Sequence, residues 1–142
     1  MKTISGAVEF FMELVRVEAV LRRRLDSSLG GISFQEFIIL RHLSEATEQK
    51  MRRIDLAGKV GLTASGITRL LLPMEKIGLV KRLPNKGDAR VSLVALAKGG
   101  QTYLDESMKR LEELSEEYFT SPEQKKLGEL SEQLGAWEKK LR

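Results

Sequence analysis

Gly61-Leu62-Thr63-Ala64-Ser65-Gly66-Ile67-Thr68-Arg69-Leu70-Leu71 is the stretch on which the reading of this chain turns. Val60 and Gly61 end one short helical segment, the glycine reverses the chain, and Leu62 supplies an apolar pin between that segment and the next. Thr63 caps a second helix that runs towards Ile77 and closes at Gly78. Along it Ile67, Leu70, Leu71, Met74 and Ile77 recur at helical spacing and predict the buried stripe. Ala64, Ser65, Gly66, Thr68 and Arg69 are then left towards solvent at the N-terminal end. Pro73 lies inside this helix, removes the backbone bond to Arg69 and predicts a kink or a restarted turn.

Upstream, between residues 3 and about 26, Ile4, Ala7, Val8, Phe11, Leu14, Val15, Leu21 and Leu25 follow a three-four spacing, with Phe10 and Val17 beside them. The pattern predicts a long helix with a broad apolar face. Ser27-Ser28-Leu29-Gly30-Gly31 breaks it, and Ser33 with Glu36 forms a capping box for a second helix over residues 34–46. That helix is expected to bury Phe34, Phe37, Ile38, Leu40 and Leu43, and to carry the single histidine, His42, as a surface or half-buried polar residue. A polar stretch, a short extended piece around Met51-Arg52 and two helical turns over residues 54–60 lead into the opening stretch.

Downstream the period changes from 3.6 to 2. Leu79-Val80-Lys81-Arg82-Leu83 and Val91-Ser92-Leu93-Val94-Ala95-Leu96 flank Pro84-Asn85-Lys86-Gly87-Asp88-Ala89-Arg90, which predicts a hairpin with a basic tip. Beyond Gly99-Gly100, Leu104, Met108, Leu111, Leu114 and Tyr118 stripe another helix to about residue 119. Ser121 as cap, Pro122 in the first turn and Gln124 at the box position restart a last helix. Its Leu127, Leu130, Leu134, Trp137 and Leu141 repeat at 3, 4, 3, 4, a seam that requires a partner helix.

The resulting order of helix, short strand, short helix, tight turn, helix and hairpin is that of a winged helix-turn-helix. The fold class expected is mainly α with a small β-hairpin wing, flanked by N- and C-terminal dimerisation helices. At 142 residues, 42% hydrophobic and 31% charged, the chain has the length and apolar content for one small domain with a helical extension. The absence of cysteine excludes disulfides, thiolate metal sites and a redox-sensing thiol, and one histidine argues against a zinc site or a histidine relay. Without a nucleophile–base spacing signature, no enzyme, catalytic site, metal or cofactor is expected. The longest apolar run, Leu70-Leu71-Leu72-Pro73-Met74, is too short to span a membrane, and Met1-Lys2-Thr3-Ile4-Ser5 lacks a signal-peptide layout, so a cytoplasmic protein without a membrane partner is expected.

Charge is distributed unevenly. Residues 1–50 hold seven basic and seven acidic side chains, residues 51–100 ten and three, and residues 101–142 seven and ten. A basic centre between neutral and acidic arms is expected where only the middle faces a polyanion, which makes double-stranded DNA the candidate partner. Ser65 and Thr68 can exchange hydrogen bonds with base edges or phosphates, Gly66 allows close backbone approach, and Arg69 can take guanine or phosphate. Thr63 reads first as a cap. On the hairpin Lys81, Arg82, Lys86 and Arg90 surround a turn, and an arginine on such a tip can enter a minor groove. The other use of these charges is to guard an edge strand against pairing.

The opening stretch, then Met74-Glu75-Lys76-Ile77-Gly78-Leu79-Val80, then Asp88-Ala89-Arg90 with Leu93-Val94-Ala95-Leu96, resembles in order and spacing the MarR family of bacterial transcriptional regulators. The resemblance implies a homodimer with interlocking terminal helices, residues 1–32 plus 98–142, around a DNA-binding winged helix-turn-helix, residues 33–97. It implies recognition helices in two successive major grooves and wings in the flanking minor grooves. Carried onto this chain, Ser65, Thr68 and Arg69 face bases or phosphates, and Asp88 braces the wing arginine, Arg90. Ala97 and Ala89 depart from the family's usual threonine and second arginine. The interface residues expected are Phe11, Leu14, Leu127, Leu130, Leu134, Trp137 and Leu141. The resemblance also implies a small aromatic or lipophilic effector between the dimer helices and the DNA-binding lobes, with Phe10, Phe11, Phe34, Phe37 and Trp137 either lining its pocket or forming plain core. The function expected is a ligand-responsive repressor on a pseudo-palindromic operator. The alternative is a winged-helix protein–protein module without specific DNA binding.

Overall fold

The computed structural model describes residues 3–142. Two units part between Met108 and Lys109, within one helix. In the first, α1 (Gly6–Ser28) opens at Ser5, whose hydroxyl accepts from the Val8 amide. The capping box is present at α2 (Phe34–Glu45): the Glu36 amide donates to Ser33 Oγ at 3.1 Å and the Ser33 amide donates to Glu36 Oε1 at 2.9 Å. A 3-10 turn (Thr47–Gln49) then leads to β1 (Lys50–Arg52) and α3 (Arg53–Val60). After them come α4 (Ala64–Lys76), β2 (Val80–Pro84), β3 (Ser92–Leu96) and the start of α5 (Lys98–Tyr118).

The extended piece at Met51-Arg52 is more than a connector. It pairs with β3, so the expected two-stranded hairpin is part of a three-stranded antiparallel sheet of order β1-β3-β2. Non-local pairing of three residues leaves no periodicity to read.

Ile39, Leu40 and Leu43 of α2, Leu56 of α3, Ile67 and Met74 of α4, and Leu79 are fully buried, with Val94, Ala95 and Leu96 closing the sheet side of this core. Two expected stripes are shifted. On α2, Ile39 is buried while Phe34 and Ile38 are only half-buried, because α3, β1 and β3 enclose that helix over a wide arc. On α4, Leu70 is half-buried and Ile77 is 63% exposed. The helix has already ended there: the Gly78 amide donates to the Glu75 carbonyl at 3.2 Å and the Leu79 amide to the Met74 carbonyl at 2.9 Å. That Schellman closure uses Gly78 at φ 78° and sends Leu79 into the core in place of Ile77. Pro73 neither breaks nor restarts α4, which runs unbroken through it.

The Gly99-Gly100 pair belongs to α5 instead of preceding it. A Cβ on Gly100 would stand 2.1 Å from the Leu79 carbonyl oxygen, and one on Gly99 2.8 Å from that of Gly78. These glycines therefore let the first turn of α5 lie directly on the exit of α4.

The second unit holds the end of α5 and α6 (Ser121–Leu141). The cap of α6 is Thr120, one residue before the expected Ser121, and its partner is Glu123, not Gln124. The Glu123 carboxylate accepts from the Thr120 amide at 2.7 Å and from its hydroxyl at 2.9 Å, which holds that carboxyl below its ordinary pKa. A carboxylate at a helix N-terminus is the stronger partner for both donors. Among the described residues no helix is long and apolar enough to cross a membrane.

Candidate nucleic-acid interface

Local sequence builds the α3–turn–α4 unit. Gly61 adopts φ 71°, ψ 29°, and the Leu62 amide donates to the Ala57 carbonyl at 2.9 Å. This left-handed closure of α3 is one that only glycine makes without strain. Two residues on, Thr63 returns to extended backbone and its Oγ1 accepts from the Gly66 amide at 3.1 Å. A Cβ on Gly66 would lie 3.2 Å from that hydroxyl, so a small residue there keeps the cap undisturbed.

The sequence-predicted residues divide by exposure. Thr63, Ser65 and Arg69 are exposed; Gly66 and Thr68 are half-buried. Thr63 acts as the cap, and its Oγ1 also lies 3.2 Å from Ser65 Oγ. The Thr68 hydroxyl donates back to the Ala64 carbonyl at 2.9 Å, which leaves its oxygen free only as an acceptor. Thr68 also lines a groove between α4 and the hairpin, together with Arg53, Lys81 and Arg82.

The wing follows from its turn residues. Pro84 pairs with Ser92 at the end of the ladder, and Asn85 Oδ1 accepts from the Gly87 amide at 2.9 Å. Asp88 Oδ1 accepts from the Arg90 amide at 3.0 Å and from Arg90 Nε at 3.2 Å, while Oδ2 faces Nη2 at 3.4 Å. These donors, the amide foremost, hold the Asp88 carboxyl below its ordinary pKa. The Arg90 side chain is 91% exposed, so the bracing sets its direction without hiding it. Lys86 is exposed at the tip, and Arg82 reaches Glu75 of α4 at 3.7 Å.

The sequence marks Arg53 only as charge, and Arg52 as charge and as part of a short extended piece. In three dimensions they border, with Ala64 and Arg90, a concavity at the joint of α3, α4 and the wing. Arg52 is held by Asp55 at 2.7 and 3.0 Å. Of Phe10, Phe11, Phe34 and Phe37, all in the first unit, only Phe37 is buried. Phe37 is core and stacks on Phe34 at 5.5 Å, whereas Phe10 and Phe11 lie exposed on α1. Phe34 lines a concavity of about 260 Å³ with Leu21, Leu25, Ile38 and Leu62, rimmed by Glu18 and Arg22.

Two helices joined by a left-handed glycine turn, the second presenting an open N-terminal end beside a basic hairpin, define a winged helix-turn-helix protein. Residues 32–92 match the model of the MarR family. The chain is 29% identical over 117 residues to the uncharacterized HTH-type transcriptional regulator YdgJ of Bacillus subtilis (strain 168), covering 82% of this chain and 70% of that protein. The crystal structure of AbsC, a MarR family transcriptional regulator from Streptomyces coelicolor, superposes with a TM-score of 0.81 at 21% identity, over 100% of this chain and 99% of that one. Sco3205, a MarR family transcriptional regulator from the same organism in complex with DNA, gives 0.76 at 20% identity, over 95% and 89%. At these identities the structures establish a shared fold.

Proposed function

We propose that this chain is a sequence-specific DNA-binding regulator that acts as a homodimer on a pseudo-palindromic operator, as a repressor released by a small aromatic or lipophilic ligand. The observation that carries the reading is the set of cations around α4 and the hairpin. Among the described residues Arg69, Lys81 and Lys86 have no ion-pair partner, and they accompany the exposed Ser65. Open donors on a helix start beside unpaired cations suit a polyanion with readable edges. Thr63, Ser65, Gly66, Thr68 and Arg69 would meet the major groove, and Lys81, Arg82, Lys86 and Arg90, braced by Asp88, the adjoining minor groove. The Sco3205 complex supports DNA as the partner class.

Residues 33–97 form the DNA-binding region in this proposal, and residues 1–32 with 98–142 the dimerisation region. Its support is the apolar surface that each unit leaves uncovered: Phe11, Met12, Leu14 and Val15 on α1, and Leu130, Leu134 and Leu141 on α6. Leu127 and Trp137 on α6 are half-buried. The concavity at Phe34 supports the ligand class, since its floor is apolar and it ends at Leu62, the pin between α3 and α4.

The test is selection of bound sequences from a random DNA pool, followed by titration of the winner at several salt concentrations. A palindrome of about 16–20 base pairs, with log K falling against log salt at a slope on the order of −5 to −9, is expected for six to ten phosphate contacts. A flat salt dependence, or binding without sequence preference, would instead point to the protein–protein module.

A further inference from the structure

We infer that Arg53, outside both the recognition helix and the wing tip, holds the DNA phosphate strand that passes between them. The inference rests on the DNA-binding reading above and adds to it a specific anchoring residue.

Arg53 is a misfit in the free protein. It is the first residue of α3, where the positive end of the helix disfavours a cation. It is half-buried, yet among the described residues it makes no ion pair and no side-chain hydrogen bond. Its neighbours do not compensate. It lines one groove with Thr68, Glu75, Lys81 and Arg82, where the Glu75 carboxylate faces Arg82 at 3.7 Å and makes no ion pair with Arg53, and the adjoining concavity with Arg52, Ala64 and Arg90. Each arginine of that group has a carboxylate of its own: Arg52 has Asp55, Arg82 has Glu75 and Arg90 has Asp88. Arg53 alone among them carries an unbalanced charge in a partly desolvated notch, and an anion relieves it.

The position names the anion. Arg53 borders both grooves beside α4, one towards β2 and one towards the wing root at Arg90, Val91 and Ser92. When a recognition helix occupies a major groove and the wing beside it occupies the next minor groove, one sugar-phosphate strand runs between them. A guanidinium at that joint meets phosphate oxygens, which it can take in a bidentate grip, and not base edges. Arg53 therefore contributes affinity and register but no sequence discrimination.

The test uses the full chain and its Arg53→Gln and Arg53→Lys variants on a selected duplex and on a scrambled one. Arg53→Gln is expected to weaken both duplexes by the same factor, about tenfold, and to make the log–log salt slope shallower by about 0.9 per bound protomer. Arg53→Lys should keep most of the slope while losing part of the affinity. Duplexes carrying a single uncharged methylphosphonate, walked along one strand, should reveal a position where the unaltered chain loses affinity and Arg53→Gln does not. Thermal melting without DNA at low salt should leave Arg53→Gln at or above the parent. An unchanged slope, a loss confined to one base position, or a lowered melting temperature with DNA affinity intact overturns the assignment. If the parent chain itself shows no salt-dependent DNA binding, the DNA reading falls and takes this inference with it. A steep parent slope with an unaffected Arg53→Gln sinks the inference alone.

Discussion

Gly100 and Leu79 are in backbone contact, so close that a β-carbon on Gly100 would fall 2.1 Å from the Leu79 carbonyl oxygen. The same carbonyl accepts from the Ala97 amide at 3.1 Å, so it is fixed where the intruding methyl would go. Leu96 Cδ1 and Leu40 Cδ2 close the other sides at 2.9 and 3.0 Å. Gly100→Ala is expected to destabilise the fold by about 3 kcal/mol or more, read by urea unfolding. Gly58, inside α3 with nothing within 4 Å of its Cβ position, is the contrast: Gly58→Ala should gain about 0.5–1 kcal/mol. Equal effects at the two sites would contradict the contact.

Pro73 sits exposed within unbroken α4, and its ring nitrogen cannot donate to the Arg69 carbonyl. Pro73→Ala restores that donor. Stability should rise by up to about 3 kcal/mol in denaturant melts. A loss of stability would mean that the ring's packing outweighs the missing bond.

Arg69→Ala should cost about 1–3 kcal/mol of binding to the selected duplex and erase discrimination at one position per half-site. Competition among duplexes varied at each position reads this directly. Uniform weakening across all of them would assign Arg69 to phosphate.

Wing order should depend on the Asp88 carboxylate. Its pKa is depressed in the folded chain by the Arg90 amide and guanidinium, so its contribution is fully present above the ordinary aspartate value of about 3.9 and fades as pH falls through the lower folded value. Protection of the Arg90 amide, taken relative to the intrinsic exchange rate at each pH, should fall across that acidic window, and in Asp88→Asn that fall should be absent. Protection that does not change with pH in the parent chain would remove Asp88 as the brace.

Leu134→Asp places a charge in the α6 seam, where Leu134 is 42% exposed in the single chain. Sedimentation should show monomer or loss of the folded chain. A stable dimer from this variant would refute the α6 seam as an interface.

Residues whose cause lies within four positions were legible in the sequence. Ser33 with Glu36, the Gly61 turn and the Thr63 cap all signal through neighbours that they actually contact. What escaped depends on distant chain. The partner of β1 lies more than forty residues away at Leu93, Val94 and Ala95. Gly99-Gly100 reads as preceding α5 because the carbonyls that require these glycines belong to Gly78 and Leu79. Ile77 reads as stripe until the Schellman closure redirects the chain to bury Leu79. The Thr120 cap was missed by one residue because Ser121, Pro122 and Gln124 supply a rival set of local signals. At the candidate site, residue type and charge marked α4 and the wing, but Arg53 looked like any other cation. Its lack of a carboxylate is a property of the folded neighbourhood, not of the string.

The place of β3 between β1 and β2 makes the wing a cantilever. Its inner beam is clamped along Leu93, Val94 and Ala95 by β1, and only residues 85–91 overhang the last paired rung, Pro84 with Ser92. Bending is thereby concentrated in the overhang, while the span from the α4 start to the wing root behaves as a rigid caliper. On the DNA-binding reading proposed above, such a caliper would measure groove-to-groove width and would yield to an ill-matched duplex only at the basic tip.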